Sequence, residues 1–294
     1  MKPTPAEAGL RRMDEFSRLA INQFTTLQQW SLSEAIEGYA RHGVHAIGVL
    51  RDKLLEIGAT EARRQLRAHD VKATCYCIGG LLTDSDPTRF RANLEATRQA
   101  IDEAAEIQAD CMVFVAGGLP EGSRDLPAAR SRCLDGLAEF LPYAREAGVT
   151  VALEPLHPMI CAFRSCLSTL GQANDWIGEL GGGPELGIVV DVYHVWWDPD
   201  MEVEIERAAG RISSFHVCDW LLETTDLRLD RGMMGDGVID IRRIRDLVEA
   251  TGYSGYREVE IFSARNWWRR DPDEVVEITK ARYLSEVNGP ARAE

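Results

Sequence analysis

Four polar residues interrupt apolar runs where chemistry could sit. They are Glu154 after Val151-Ala-Leu, Asp191 after Ile188-Val-Val, His216 after Ser214-Phe, and Glu260 within Glu258-Val-Glu-Ile-Phe262. An ionised carboxylate in an apolar interior is costly unless it is paired or bound to a metal. Three gathered in one place repel one another, and a divalent cation removes that repulsion. One imidazole with three carboxylates is a mixed nitrogen and oxygen set, suited to Mn²⁺, Mg²⁺, Co²⁺ or Zn²⁺ better than a thiolate site would be. The alternative is that each acid pairs separately with one of the 29 arginines.

These residues need elements that bring them together. Short β-branched runs recur at Leu19–Phe24, His45–Leu50, Lys72–Ile78, Cys111–Ala116, Thr150–Glu154, Leu186–Val192, Ile212–Cys218 and Arg257–Phe262. They are continuous apolar runs, as expected of parallel strands covered on their outer face. Amphipathic helices alternate with them. A capping box, Ser31-Leu-Ser-Glu34, opens the first and Gly43 closes it; others are expected at 61–68, 87–108, 126–147, 168–180, 201–209, 240–251 and 272–287. Eight βα units in 294 residues point to a closed (β/α)₈ TIM barrel. An open doubly wound sheet would carry a Gly-rich phosphate loop after its first strand, where this chain has Thr25-Thr-Leu-Gln-Gln-Trp30. The chain, 1–294, reads as one barrel domain with an N-terminal extension over 1–18, in which a short helix is expected from Thr4-Pro5, and a fraying tail over 288–294. In such a barrel the C-terminal strand ends carry the chemistry. The four residues lie there, on strands five to eight.

Composition narrows the partners. The net charge of −14 repels phosphate backbones and anionic lipid, so neither nucleic acid nor membrane is expected as a partner. No apolar run approaches the ~18–20 residues of a membrane span, and the N-terminus lacks a signal-peptide core; a cytoplasmic protein is expected. The seven cysteines read as reduced, buried thiols, and Cys75-Tyr-Cys77 as a poor metal pair. The four lysines, Lys2, Lys53, Lys72 and Lys280, fall at a strand start or on surface segments, which argues against Schiff-base chemistry.

The segments Leu153-Glu-Pro-Leu156, Asp191-Val-Tyr-His194, Phe215-His-Val-Cys-Asp219 and Glu258-Val-Glu260 together resemble the motifs of the sugar phosphate isomerase/epimerase superfamily with the xylose isomerase-like barrel. The family includes ketose 3-epimerases and inosose-processing enzymes, and the resemblance covers roughly residues 19–287. It implies that Glu154, Asp191, His216 and Glu260 bind one divalent metal, Mn²⁺ foremost, with Glu154 and Glu260 flanking the substrate carbon as acid and base. His194 would line the sugar site. An arginine after strand seven would touch a substrate oxygen, and Arg228 and Arg231 compete for that role because the insertion Leu221–Asp230 blurs the register. Asp236, in the turn Gly235-Asp-Gly237, reads as a turn residue.

One departure stands out. After Glu154-Pro-Leu the epimerases show Asn, whereas this chain has His157. Either it is a hydrogen-bonded loop histidine or a substrate-contacting acid/base, since imidazole titrates near neutral pH. Trp196-Trp197 and Trp267-Trp268 either cap the barrel core or wall the substrate. Arg164, Arg265 and Arg269 show no compact phosphate grip, so an unphosphorylated carbohydrate or glycoside is expected as substrate.

The chemistry implied is proton abstraction next to a carbonyl, with the metal acting as a Lewis acid on a metal-bound enediolate. Reprotonation gives an epimer or an isomer; expulsion of a β-substituent gives a lyase. The rival reading is thus a metal-dependent lyase, resembling the catalytic subunit of C-glycoside deglycosidases that act on 3-oxo-glucosides or a keto-sugar dehydratase. His157 and the tryptophans would suit it, and a smaller β-rich partner subunit would accompany it; a homo-oligomer is the other expected assembly. An apurinic-site nuclease needs further histidines at the first strand ends, where His42, His45 and His69 do not fall.

Overall fold

The computed structural model describes residues 15–289. The segment expected to form a short helix from Thr4 and most of the tail lie outside them. Eight parallel strands close in chain order: β1 Leu19–Asn22, β2 Ala46–Leu50, β3 Lys72–Gly80, β4 Cys111–Val115, β5 Val151–Leu153, β6 Leu186–Asp191, β7 Ile212–Val217 and β8 Arg257–Val259. β8 pairs back onto β1, so no strand edge is left open. The TIM barrel expected from the alternation of elements is the fold.

Local chemistry sets the helices. Ser31 forms the capping box with Glu34 ahead of helix Leu32–Arg41, and Gly43, at φ 73°, allows the turn that follows. Asp86 and Asp125 cap the long helices Pro87–Glu106 and Leu126–Ala147. The main apolar core lies between strands and helices, with residues such as Ile47, Phe114, Leu137, Ile188 and Phe215 fully buried. A smaller cluster of Leu50, Cys75, Cys77, Cys111, Val113, Ala152 and Val189 packs together with Phe24, Leu27 and Ile78. All seven cysteines are free thiols, and six are buried.

Three details differ from the sequence reading. Helix Arg51–Ile57 follows β2 directly, before the expected helix at Ala59–Ala68. β1 stops at Asn22, whose side chain accepts Phe24 N–H (3.1 Å) and turns the chain into a 3₁₀ segment, Gln23–Thr26. β5 and β8 each span only three residues, so Glu154 and Glu260 sit one position past the ladder. Lys72 pairs with Asp110 at 2.8 Å at the start of β3, consistent with a surface lysine.

Candidate metal and sugar site

The four strand-end residues converge. One ligand atom from each of Glu154, Asp191, His216 and Glu260 lies within 4.8 Å of the others, and all four are buried. The ladder register explains it: Asp191 pairs with His216 across β6 and β7, and His216 with Glu258 across β7 and β8. Past the ladder, Glu154 N–H donates to the Phe114 carbonyl (3.1 Å) and Glu260 N–H to that of Val217 (3.1 Å), so each acid is fixed by its neighbouring strand.

His216 Nδ1 lies 3.7 Å from Glu154 Oε1 and 3.9 Å from Glu260 Oε1, yet has no hydrogen-bond partner among the described residues. Its Nε2 meets Ser214 Oγ at 2.9 Å and lies 3.7 Å from Glu258 Oε1. With the proton on Nε2, the Nδ1 lone pair points among three carboxylates. A buried, unpartnered acceptor beside excess negative charge is what a cation ligand looks like before loading. The donor set therefore fits a divalent ion.

Burial sets the electrostatics. Burial, with the charge of Glu260, pushes the Glu154 carboxyl up to about 8. Burial also raises Glu260, against the pull of His216 and Arg231. For Asp191 burial acts upward, but Arg231, His194 and His216 outweigh it and hold the carboxyl below its usual range. Burial disfavours the charged form of His216, yet Glu258, Glu260, Glu154 and Asp191 outweigh it and raise its pKa.

Arg231 is the arginine inside. Its Nη1 bridges Asp191 Oδ2 (2.9 Å) and Glu260 Oε2 (3.0 Å), and its guanidinium lies between the rings of Tyr193 (4.4 Å) and Phe262 (4.7 Å). One arginine thus pairs with both Asp191 and Glu260, where the alternative reading expected a separate arginine for each acid. Arg228 lines the cavity farther out. The Asp191 carboxylate accepts Tyr193 N–H (2.9 Å) and so caps the short helix Val192–Val195, which carries His194 back beside it, 3.7 Å away. Burial drives His194 down to about 3, so it is neutral. Its Nδ1 accepts His157 N–H (3.0 Å), leaving the ring proton on Nε2, which abuts Arg231 Nη2 at 3.1 Å. Two donors side by side suit one acceptor oxygen from a ligand.

A cavity opens over these groups, lined by Glu154, His194, Arg231, Glu260, Arg164 and Arg228 together with apolar side chains including Phe24 and Phe262.

Three sequence-selected rings lie elsewhere. His157 stacks on Trp220 (4.8 Å), meets Trp197 edge-on (5.6 Å), and accepts Met159 N–H at Nδ1 (3.2 Å). It is not among the cavity-lining side chains, and its contacts are those of a hydrogen-bonded loop histidine. Trp196 packs on Trp220 (5.8 Å), and Trp197 donates to the His194 carbonyl (2.8 Å); both buttress the loop behind His194 instead of walling the cavity. Phe24 and Phe262, rings 4.0 Å apart, supply the aromatic wall.

The sequence reading missed Glu258, although it lies two residues before Glu260, on the same face of a strand of period two. It is buried beneath the site and accepts from Asn22 Nδ2 (2.7 Å), from Cys75 Sγ (3.1 Å) and from Thr74 Oγ1. Cys75, His216 and Glu258 also lie close enough to share an ion. However, its hydrogen bond to Cys77, together with burial, holds the Cys75 thiol well above its ordinary value, so Cys75 is a donor to Glu258. Asp219 is a second structural acid. It accepts four backbone N–H groups, from Trp220, Gly235, Gly237 and Ile239, at 2.9–3.0 Å and ties down the loop that carries Arg231. Asp236 accepts Met233 N–H (3.1 Å), as a turn residue does.

Residues 36–281 match the family described as xylose isomerase-like TIM barrel. The inosose isomerase of Halalkalibacterium halodurans is 24% identical over 290 residues, 92% of this chain and 99% of that protein. L-ribulose-5-phosphate 3-epimerase UlaE of Escherichia coli is 28% identical over 154 residues, 52% of this chain and 49% of that protein. Among solved structures, protein SMc04130 of Sinorhizobium meliloti superposes with a TM-score of 0.91 at 48% identity, covering 93% of this chain and all of that one. The IolI protein, solved with a bound zinc atom, has a TM-score of 0.78 at 20% identity over 92% of this chain and 98% of its own.

Proposed function

The chain belongs to the xylose isomerase-like TIM-barrel family, and from that premise we propose that it is a divalent-metal-dependent carbohydrate isomerase or epimerase, with its metal on Glu154, Asp191, His216 and Glu260. Its relatives are sugar isomerases and epimerases. The observation that carries the reading is the unpartnered Nδ1 of His216 gathered with three carboxylates, two of which, Glu154 and Glu260, line a cavity. The zinc of IolI is in keeping with it. When bound, the ion supplies a Lewis acid that polarises a substrate carbonyl and its neighbouring hydroxyl.

The chain's own residues do the rest. Glu154 and Glu260, both in the cavity wall, exchange the proton on the carbon next to the carbonyl, one removing it and the other returning it. Arg231 Nη2 and His194 Nε2 together donate to a substrate oxygen as negative charge builds on the enediolate. The Tyr193 and Phe262 rings hold the guanidinium in place, so little reorganisation accompanies the reaction. The lyase alternative leaned on His157 and the tryptophans, and their positions behind the cavity wall give it no support.

The test is exchange of the carbon-bound proton of free and phosphorylated ketoses in D₂O, followed by NMR with the metal-loaded protein. Exchange that disappears in Glu154→Gln and Glu260→Gln, with circular dichroism unchanged, is expected. Exchange persisting at the native rate in Glu260→Gln would overturn the assignment.

A further inference from the structure

Arg164, partly buried, and Arg228, exposed at the mouth, both line the cavity, and among the described residues neither side chain makes a hydrogen bond or an ion pair. Elsewhere in the protein, sheltered arginines are matched: Arg51 by Glu103, Arg231 by Asp191 and Glu260, Arg257 by Glu249, and Arg245 by Asp246 and the Val287 carbonyl. Arg164 is instead set against an apolar cluster of Val115, Leu156 and Ile160, extended by Leu227 and Ile78. Burial, and then the positive charge of Arg228, hold its guanidinium below its ordinary value. A cation kept in such surroundings beside another cation is costly unless something negative arrives.

The acids nearest Arg164 belong to the proposed ligand set: Glu154 and Glu260 line the cavity and act on Arg164 through their charge, and Glu260 is shared with Arg231. Asp226, two residues before Arg228, accepts the backbone N–H groups of Arg228 and Leu229 at its Oδ1, at 2.9 Å each. On the proposed function, a divalent ion with Arg231 would match the three carboxylates charge for charge, leaving Arg164 and Arg228 uncompensated. We infer that these two arginines form an anion subsite, and that the substrate is a sugar carrying a carboxylate or a phosphate ester away from the reacting carbonyl. Guanidinium groups suit either, since both offer paired oxygens to the N–H fork. A phosphate ester would revise the expectation of an unphosphorylated substrate; a carboxylate would not. It rests on the cavity being a carbohydrate site.

Titration calorimetry of the metal-loaded full chain with inorganic phosphate and with acetate, at constant ionic strength, tests it. At least one anion should bind saturably. Arg164→Gln and Arg228→Gln should each weaken it by about tenfold or more, the loss expected for one charged hydrogen bond, with metal content unchanged. Tighter phosphate binding would identify the ester, and tighter acetate binding the carboxylate. No binding up to about 50 mM of either, or native affinity in the double variant, would overturn the subsite, since the anion would then sit elsewhere. Anion binding lost in the variants of a protein that takes up no metal would support the subsite while sinking the proposed function.

Discussion

Replacing Arg231 with methionine removes a charge while keeping an unbranched chain between Tyr193 and Phe262. In the metal-free protein this guanidinium contacts Asp191 at 2.9 Å and Glu260 at 3.0 Å, with all three side chains almost fully buried. Breaking a buried ion pair from one side costs about 3–5 kcal/mol, because the remaining charge is left uncompensated. Against a total stability of about 5–15 kcal/mol, that is a large loss. The pH dependence has a definite sign. Arg231 helps hold Asp191 below its usual range in the folded protein, so the stability it contributes is present above the unfolded value, about 3.9, and fades as pH falls through the folded one. Urea titration in EDTA should therefore show the deficit of Arg231→Met from neutral pH down to about pH 4, shrinking only at more acid pH as Asp191 is protonated in the folded protein. Saturating Mn²⁺ should restore most of the difference, since a bound cation takes over the role of counter-charge. A variant within about 1 kcal/mol of the native protein in EDTA would refute the view that Arg231 neutralises Asp191 and Glu260.

Other predictions follow from neighbouring contacts. A Cβ at Gly48 would lie 2.0 Å from Glu258 Oε1 and 2.5 Å from Asn22 Nδ2, both buried and hydrogen-bonded, so Gly48→Ala should cost about 3–5 kcal/mol in denaturant titration through overpacking and a lost charged hydrogen bond. Native-like stability there would count against Glu258 being fixed. Ser214→Ala removes the group that orients His216 through Nε2 and should weaken metal binding about 10–100-fold by competitive chelation, with little change in fold; unchanged affinity would mean that Ser214 does not set the tautomer. Arg145 holds the Glu185 carboxyl below its ordinary value across a 2.6 Å contact. Arg145→Met should lower the urea midpoint slightly at pH 7, as loss of an exposed ion pair does. The difference should vanish as pH falls through the depressed value of Glu185; a difference independent of pH would rule out the ion pair as its cause.

The barrel and its four strand-end residues were legible because two simple periods carry them. Alternating strand and helix patterns count eight units, and a charged residue closing an apolar run is costly enough to announce itself. Glu258 escaped notice because an acid inside a strand looks like the usual polar outward face until its partners are known. Those partners, Asn22, Thr74 and Cys75, come from two other strands that no local pattern connects to it. The positions of Arg228 and Arg231 could not be told from spacing, since the insertion shifts the register; packing between Tyr193 and Phe262 places Arg231 beside Asp191 and Glu260. His157 and Trp197 misled for a related reason. Sequence proximity to the strand ends brings a ring near the mouth, but the His157 ring stacks on Trp220, from another loop, and is not among the cavity-lining side chains. The aromatic wall came instead from Phe24 and Phe262, one at a chain reversal that Asn22 induces.

The central claim is that Glu154, Asp191, His216 and Glu260 hold one divalent ion. Elemental analysis of the purified chain by plasma mass spectrometry tests it most directly, alongside His216→Ala. The account predicts about one Mn, Mg, Co, Fe or Zn per native chain, retained through dialysis or restored on reconstitution, and almost none in the variant. A native protein that contains no such metal and takes none up, or a variant that binds it equally well, would contradict it.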